Sequence, residues 1–159
     1  MKMRIGIGYD VHPLKADLPL VLGGVEIPFP RGLAGHSDAD VLLHAIMDAL
    51  LGAAALGDLG RHFPPDDSRY RGISSLFLLQ EVAHLLAKKK YTVQNIDSII
   101  IAQKPRLFPY LHAMRQKIAA ALALEEDLVS IKATTTEKLG FTGEGKGIAA
   151  HAVVLLLKK

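Results

Sequence analysis

The sequence predicts an α/β (α+β) fold, a two-layer sandwich with helices on one face of a mixed sheet. Segments with strand and helix periodicity alternate irregularly, and a hairpin precedes the first helix. The last segment, residues 148–157, is apolar at nearly every position, as in a strand covered on both faces. Helices on one side would leave the other face bare, so self-association through that face is expected. A length of 159 residues fits a single domain, 1–159, since domains run to about 100–200 residues.

Residues 4–9 read as the first strand, and Gly6 and Gly8 in it would let another backbone approach closely. Gly6-x-Gly8 is not a dinucleotide fingerprint, because no third glycine follows at the right distance and no helix opens there. Leu20-Val21-Leu22 and Val25-Glu26-Ile27, joined by Gly23-Gly24, give a hairpin signal. Ser37 reads as a helix N-cap, with Asp40 three residues on as a weak capping box. Residues 39–56 follow as a helix, with Val41, Leu42, Ala45, Ile46, Ala49 and Leu50 as its apolar stripe and Gly57 at its end. The proline-rich stretch 62–67 reads as a mobile, turn-rich loop. Ser75 reads as the cap of a second helix that turns Leu76, Leu79, Val82, Ala83 and Leu86 inward. A strand over 96–102, a connection over 103–109, a third helix marked by Leu111, Met114, Ile118, Ala121 and Leu122, and a strand over 129–134 complete the pattern.

Composition removes several classes of function. Half the residues are hydrophobic, which supports a packed core and argues against disorder. Net charge is only +3, and the one cationic run, Lys88-Lys89-Lys90, falls where a helix C-terminus favours cations. With no Trp and 6% aromatics, a base-stacking surface is not expected, so nucleic acid is not a partner. There is no cysteine, which excludes disulfides, thiolate catalysis and Cys-ligated metal. No signal peptide opens the sequence and no apolar run reaches the ~18 residues of a membrane span, so the expected location is cytoplasmic.

The chemistry concentrates in two stretches. Asp10 and His12 are two apart, so on an extended segment they point the same way and can aim at one point just past the end of the first strand. His44, from the first helix, could be a third ligand. Two histidines and one carboxylate with a position left open is the pattern of a catalytic zinc site, and the donor set also suits manganese or magnesium. Taken alone, Asp-x-His is more often a turn pair. Asp40, His44 and Asp48 share a helix face, so Asp40 or Asp48 could orient the imidazole, or all three could be ordinary solvated charges. The second stretch, 132–143, leaves a strand with Thr134, Thr135, Thr136 and Glu137. Hydroxyl and amide donors suit phosphate oxygens, and one carboxylate suits Mg²⁺ bound together with substrate phosphates. A threonine-rich strand end followed by a glycine turn would explain the same residues without chemistry.

Five motifs in register carry a resemblance. They are Gly8-Tyr9-Asp10-Val11-His12, the run from Gly35-His36-Ser37 through His44, Asp58-Leu59-Gly60, Ala102-Gln103-Lys104-Pro105, and 132–143. Together the chain resembles the 2-C-methyl-D-erythritol 2,4-cyclodiphosphate synthases of the non-mevalonate route to isoprenoids. The resemblance implies a ferredoxin-like subunit in a homotrimer packed through its sheets, with active sites between neighbours. It implies zinc on Asp10, His12 and His44, and magnesium or manganese on Glu137. It implies that His36 and Thr135 stabilise the transition state, and that Asp58 and Gly60 hold the erythritol hydroxyls. A cytidine pocket would be built from Ala102, Lys104, Arg106, Leu107, Phe108 and Thr134. Ser37, Leu59, Phe63, Asp67, Thr136, Phe141 and Glu144 would also contact substrate. The implied reaction converts 4-diphosphocytidyl-2-C-methyl-D-erythritol 2-phosphate to the cyclic diphosphate and CMP. Many relatives carry an Arg after Phe-Thr-Gly where this chain has Glu144. Three such carboxylates would disfavour an isoprenoid diphosphate in the axial cavity of the trimer. There are two rival readings: a non-catalytic trimeric module binding nucleotides or isoprenoid diphosphates, which would keep the glycine- and threonine-rich loops without needing the metal ligands, and a zinc hydrolase with His36 as base.

Overall fold

The computed structural model describes residues 2–159. Strand β1 (Lys2–Ala16) leads into a small hairpin of β2 (Leu20–Leu22) and β3 (Val25–Ile27), followed by β4 (Arg31–Leu33). Helix α1 (Val41–Ala53), the short α2 (Leu59–His62) and α3 (Ser75–Lys88) come next. The second half is β5 (Tyr91–Ile101), α4 (Leu111–Leu122), β6 (Val129–Thr134), the single turn α5 (Gly140–Gly143) and β7 (Gly147–Lys158). The main sheet has the order β4-β1-β7-β5-β6. Only the β5–β6 pair is parallel, so the sheet is mixed as expected.

The hairpin forms where the sequence places it, with Gly23 and Gly24 both at positive φ in the turn. Helix α1 differs from its expectation. It starts at Val41 because Asp40, not Ser37, is the N-cap, its side chain accepting from Leu43 N–H. It stops at Ala53, before the left-handed Ala55 and Gly57. It is buried at every position but Asp48 and Gly52, Leu43, Met47 and Leu51 included, because the sheet, the hairpin and α3 surround it. Ser74 takes the N-cap position of α3 without a side-chain bond, which frees the buried Ser75 for another role. The stretch after residue 58 is more ordered than a plain loop: it holds α2 and a 3₁₀ turn over Ser68–Tyr70, both capped by aspartates.

Gly6 and Gly8 set the distance between α1 and the sheet. A Cβ on Gly6 would lie 1.9 Å from the Ala49 carbonyl oxygen, and one on Gly8 would lie 1.8 Å from that of Ala45. The two glycines therefore let the helix backbone rest directly on β1, as the sequence led us to expect. Strand β7 buries Ile148, Ala150, Ala152, Val154 and Leu156 beneath the helices. The opposite face is bare. Met3, Ile5 and Ile7 are 74%, 75% and 72% exposed there, with Tyr9, Val11 and Val153 beside them. Among the described residues no helix is long and apolar enough to cross a membrane.

Candidate metal centre and active site

Asp10 and His12 do not follow the first strand; they lie within it. β7 continues to pair with β1 through this region, Asp10 opposite Ala150 and His12 opposite Ile148. By strand alternation they point the same way as Gly6 and Gly8, toward α1. The close approach at those glycines brings His44, one turn into the helix, down onto them. Asp10 Oδ2 lies 2.9 Å from both His12 Nε2 and His44 Nδ1, and the two histidine nitrogens are 3.1 Å apart. Four-coordinate zinc with bonds of about 2.0 Å spaces its ligand atoms about 3.3 Å apart, so the cluster fits such an ion with a slight opening.

The donor chemistry fits as well. His12 Nδ1 donates to the Ala34 carbonyl at 3.0 Å, and a carbonyl can only accept, so the neutral ring presents the Nε2 lone pair to the cluster. Burial pushes the Asp10 carboxyl up, but hydrogen bonds and charge from His12 and His44 outweigh it and hold the group at about 2. Burial lowers His12, and its bond to Asp10 more than restores it, leaving it above its ordinary value. An ionised carboxylate and two imidazoles with no sulfur suit zinc, and suit harder divalent ions less well.

The expectation that Asp40 or Asp48 orients the His44 ring is not met. Asp40 is fully buried and spends its oxygens on backbone: Gly23 N–H at 2.9 Å, Gly24 N–H at 2.7 Å and Leu43 N–H at 3.1 Å. It ties the hairpin to the start of α1, and burial pushes its carboxyl up to about 6. Asp48 accepts from Leu59 N–H at 2.7 Å and so fixes the turn into α2. The ring nitrogen of His44 that faces away from the cluster meets Ser37 Oγ and Ser75 Oγ, each at 3.1 Å. Ser75 and its neighbour Asp38 meet the centre here, a contact that the sequence reading did not anticipate. The signal was present, since Asp38 sits inside the His36–His44 motif.

His12, His36, Ser37, His44, Leu59, Gly60 and Phe63 line one cavity of about 210 Å³, which Tyr70 and Leu78 help to close. His36 Nε2 donates to the Asp67 carbonyl at 3.1 Å. The Asp67 side chain turns to Arg69, whose hydrogen bonds hold its carboxyl at about 2. Asp58 caps α2, accepting from Arg61 N–H at 2.9 Å. A second cavity of about 630 Å³ is lined by Ala102, Lys104, Arg106, Leu107, Phe108, Thr134 and Thr135, together with Phe29. Past it, Thr135 Oγ1 donates to Glu137 Oε1 at 3.1 Å, Thr136 Oγ1 donates to the Leu139 carbonyl at 2.6 Å, and Glu137 and Lys138 are left-handed. Phe141 and Glu144 fall in or just after α5, lining neither cavity, and Glu144 pairs with Lys146.

The two cavities do not merge. Asp10 is on β1 and Thr134 on β6, with β7 and β5 between them. Three strand spacings amount to about 14 Å. Glu137 is correspondingly absent from the Asp10–His12–His44 cluster, which is the one such cluster among the described residues. One chain thus presents two separate cavities.

An α/β layer that holds two histidines and an aspartate ready for a metal is the frame of a metal-dependent enzyme. The chain belongs to the YgbB family, which it matches over residues 3–157. It is 64% identical to the 2-C-methyl-D-erythritol 2,4-cyclodiphosphate synthase of Desulforamulus reducens, over 97% of this chain and 98% of that one. It is 63% identical to the synthase of the same name from Syntrophomonas wolfei, again over 97% of this chain and 98% of that one. Among solved structures it is similar to the CDP complex of Plasmodium falciparum IspF, at 36% identity and a TM-score of 0.87, covering 99% of this chain and 97% of that one. It is also similar to the bifunctional IspDF of Campylobacter jejuni, at 41% identity and a TM-score of 0.94, covering 98% of this chain and 42% of that longer one.

Proposed function

We propose that this protein is a cyclodiphosphate synthase of isoprenoid precursor biosynthesis. It converts 4-diphosphocytidyl-2-C-methyl-D-erythritol 2-phosphate to 2-C-methyl-D-erythritol 2,4-cyclodiphosphate and CMP. The observation that carries this reading is the preformed Asp10–His12–His44 centre, in a chain whose relatives bear that enzyme's name across their full length. The binding-module alternative has no need of such a centre and is not favoured.

In the reaction an oxygen of the 2-phosphate bonds to the β-phosphorus. The bond from that phosphorus to the bridging oxygen breaks, and CMP leaves with the electron pair. Both partners are anions, so the obstacle is charge repulsion and alignment. Zinc at Asp10, His12 and His44, with magnesium or manganese at Glu137, supplies charge neutralisation and a template for in-line displacement. The protein's own groups do the rest. Ser37, Asp58, Leu59, Gly60 and Phe63 hold the erythritol end. His36 and Thr135 would turn their donors from the Asp67 carbonyl and Glu137 Oε1 to the phosphate oxygens as charge shifts toward the leaving group. Ala102, Lys104, Arg106, Leu107, Phe108 and Thr134 receive the cytidine.

The two cavities become one site when a second copy brings its Thr135–Glu137 loop to the first copy's zinc centre. The bare apolar face of β1 and β7 supports a homotrimer of ferredoxin-like subunits packed through their sheets. We read residues 1–159 as one cytoplasmic domain with a small-molecule substrate and no nucleic-acid or membrane partner. Glu144, with Phe141 before it, disfavours an isoprenoid diphosphate at the trimer axis. Incubating the protein with the diphosphocytidyl substrate, zinc and Mg²⁺ tests the reaction by phosphorus NMR. Resonances of the cyclic diphosphate and CMP are expected, and unchanged substrate would overturn the proposal.

A further inference from the structure

We propose that Asp38, acting through Ser75, is a positioning residue that biases His44 toward the one tautomer able to bind metal. The inference rests on the metal reading of Asp10, His12 and His44. The Asp38 carboxylate is acceptor-only when ionised. Three donors converge on it: Ser75 Oγ on Oδ1 at 2.5 Å, Ser75 N–H on Oδ2 at 2.8 Å, and Asp40 N–H on Oδ1 at 3.2 Å. The Ser75 hydroxyl proton is therefore committed to Asp38. Toward His44 Nε2, 3.1 Å away, Ser75 can then only accept. Ser75 therefore favours a proton on His44 Nε2, which leaves the Nδ1 lone pair free for a metal beside Asp10 and His12, whereas the Asp10 carboxylate, 2.9 Å from Nδ1, favours the opposite tautomer when no metal is bound.

Ser37 cannot impose this choice. Its hydroxyl also lies 3.1 Å from His44 Nε2, but its own proton has no carboxylate to go to among the described hydrogen bonds. It can donate to Nε2 or accept from it, and so tolerates either tautomer. Ser75, by contrast, is fully buried at the start of α3, where the Asp38 N–H to Ile73 carbonyl bond at 3.1 Å joins the two segments. The metal ligand on α1 is thus set by a helix that supplies no ligand. Partners of this kind are typically worth about 10–100-fold in metal affinity.

Two measurements on the full-length protein and its variants test the assignment. Zinc affinity is read by competition with a chromophoric chelator, and the His44 tautomer is read by long-range proton–nitrogen NMR on metal-free protein. Ser75→Ala should weaken zinc roughly 10–100-fold and lower the share of the Nε2–H ring relative to the natural protein. Ser75→Thr, which keeps the hydroxyl, should restore both. Asp38→Asn places an amide donor where a proton acceptor stood, and should weaken zinc as Ser75→Ala does. Ser37→Ala should leave the tautomer unchanged. A Ser75→Ala protein that is folded by circular dichroism, binds zinc as the natural protein does and keeps the natural protein's share of Nε2–H ring would overturn the inference. Failure of the natural protein to bind zinc would instead overturn the metal reading, while the NMR signature still decides the relay.

Discussion

Each ligand of the centre is held by something outside the ligand set. His12 is fixed by the Ala34 carbonyl and His44 by Ser75 and Ser37, while Asp10 is anchored by the β1–β7 pairing. Removing a ligand should therefore cost metal rather than fold. His44→Ala is expected to lose zinc and turnover while keeping its circular dichroism, and full activity in a zinc-free His44→Ala protein would contradict the assignment. Asp40 should behave in the opposite way. It satisfies three backbone N–H groups and touches no ligand side chain. Asp40→Ala strands buried donors and should cost at least about 2 kcal/mol, read as a lower denaturation midpoint in urea. An unchanged midpoint would mean that water replaces the carboxylate without loss. These two roles could not be separated in the sequence. Asp40, His44 and Asp48 repeat every four residues, and helix spacing says only that they share a face. Which of them serves backbone and which serves metal depends on the hairpin and on the turn after residue 57, which the spacing does not report.

At the level of elements, the β1–α1 contact is what makes the centre. Gly6 and Gly8 leave room for the Ala45 and Ala49 carbonyls, and the helix then delivers His44 to the strand. A methyl group at Gly8 has no space, since the nearest atom is helix backbone and not a flexible side chain. Gly8→Ala should lift α1 from the sheet, cost about 1–3 kcal/mol and weaken zinc as well. The paired readout matters, because a stability loss with unchanged zinc affinity would detach the contact from the site. This contact was legible in part: two glycines alternating in a strand announce a close neighbour, though not which one. The hairpin was legible in full, because Gly23-Gly24 supplies two residues suited to positive φ between short apolar runs. Element ends were less so. Strand β1 runs to Ala16 because β7 pairs with it as far as Pro13 and β4 pairs with Leu14, Lys15 and Ala16, and that pairing is tertiary information.

The molecule as a whole has two unfinished features, and the proposed trimer would complete both. The sheet has a bare apolar face, and the two cavities stand about 14 Å apart in strand spacing. The sequence foretold the first through the apolar last strand, although β7 itself is covered on one face only. It hid the second, because distance across a sheet depends on strand order, which residue patterns do not fix. Val153 is 47% exposed on the bare face. An Asp there should dissociate the assembly by placing an unpaired charge in an apolar interface, and an intact Val153→Asp trimer in analytical ultracentrifugation would move the interface elsewhere. The most direct test of the account asks whether one active site draws on two chains. His44→Ala lacks the zinc centre and Glu137→Gln lacks the second-metal carboxylate, so each alone should be inactive. After the two are mixed in equal amounts, dissociated and reassembled, random pairing gives roughly a quarter of sites an intact zinc centre from one chain and an intact Glu137 from its neighbour. CMP release at about that fraction of the natural rate is the predicted result. No recovery of activity in mixed assemblies shown to contain both chains would contradict it.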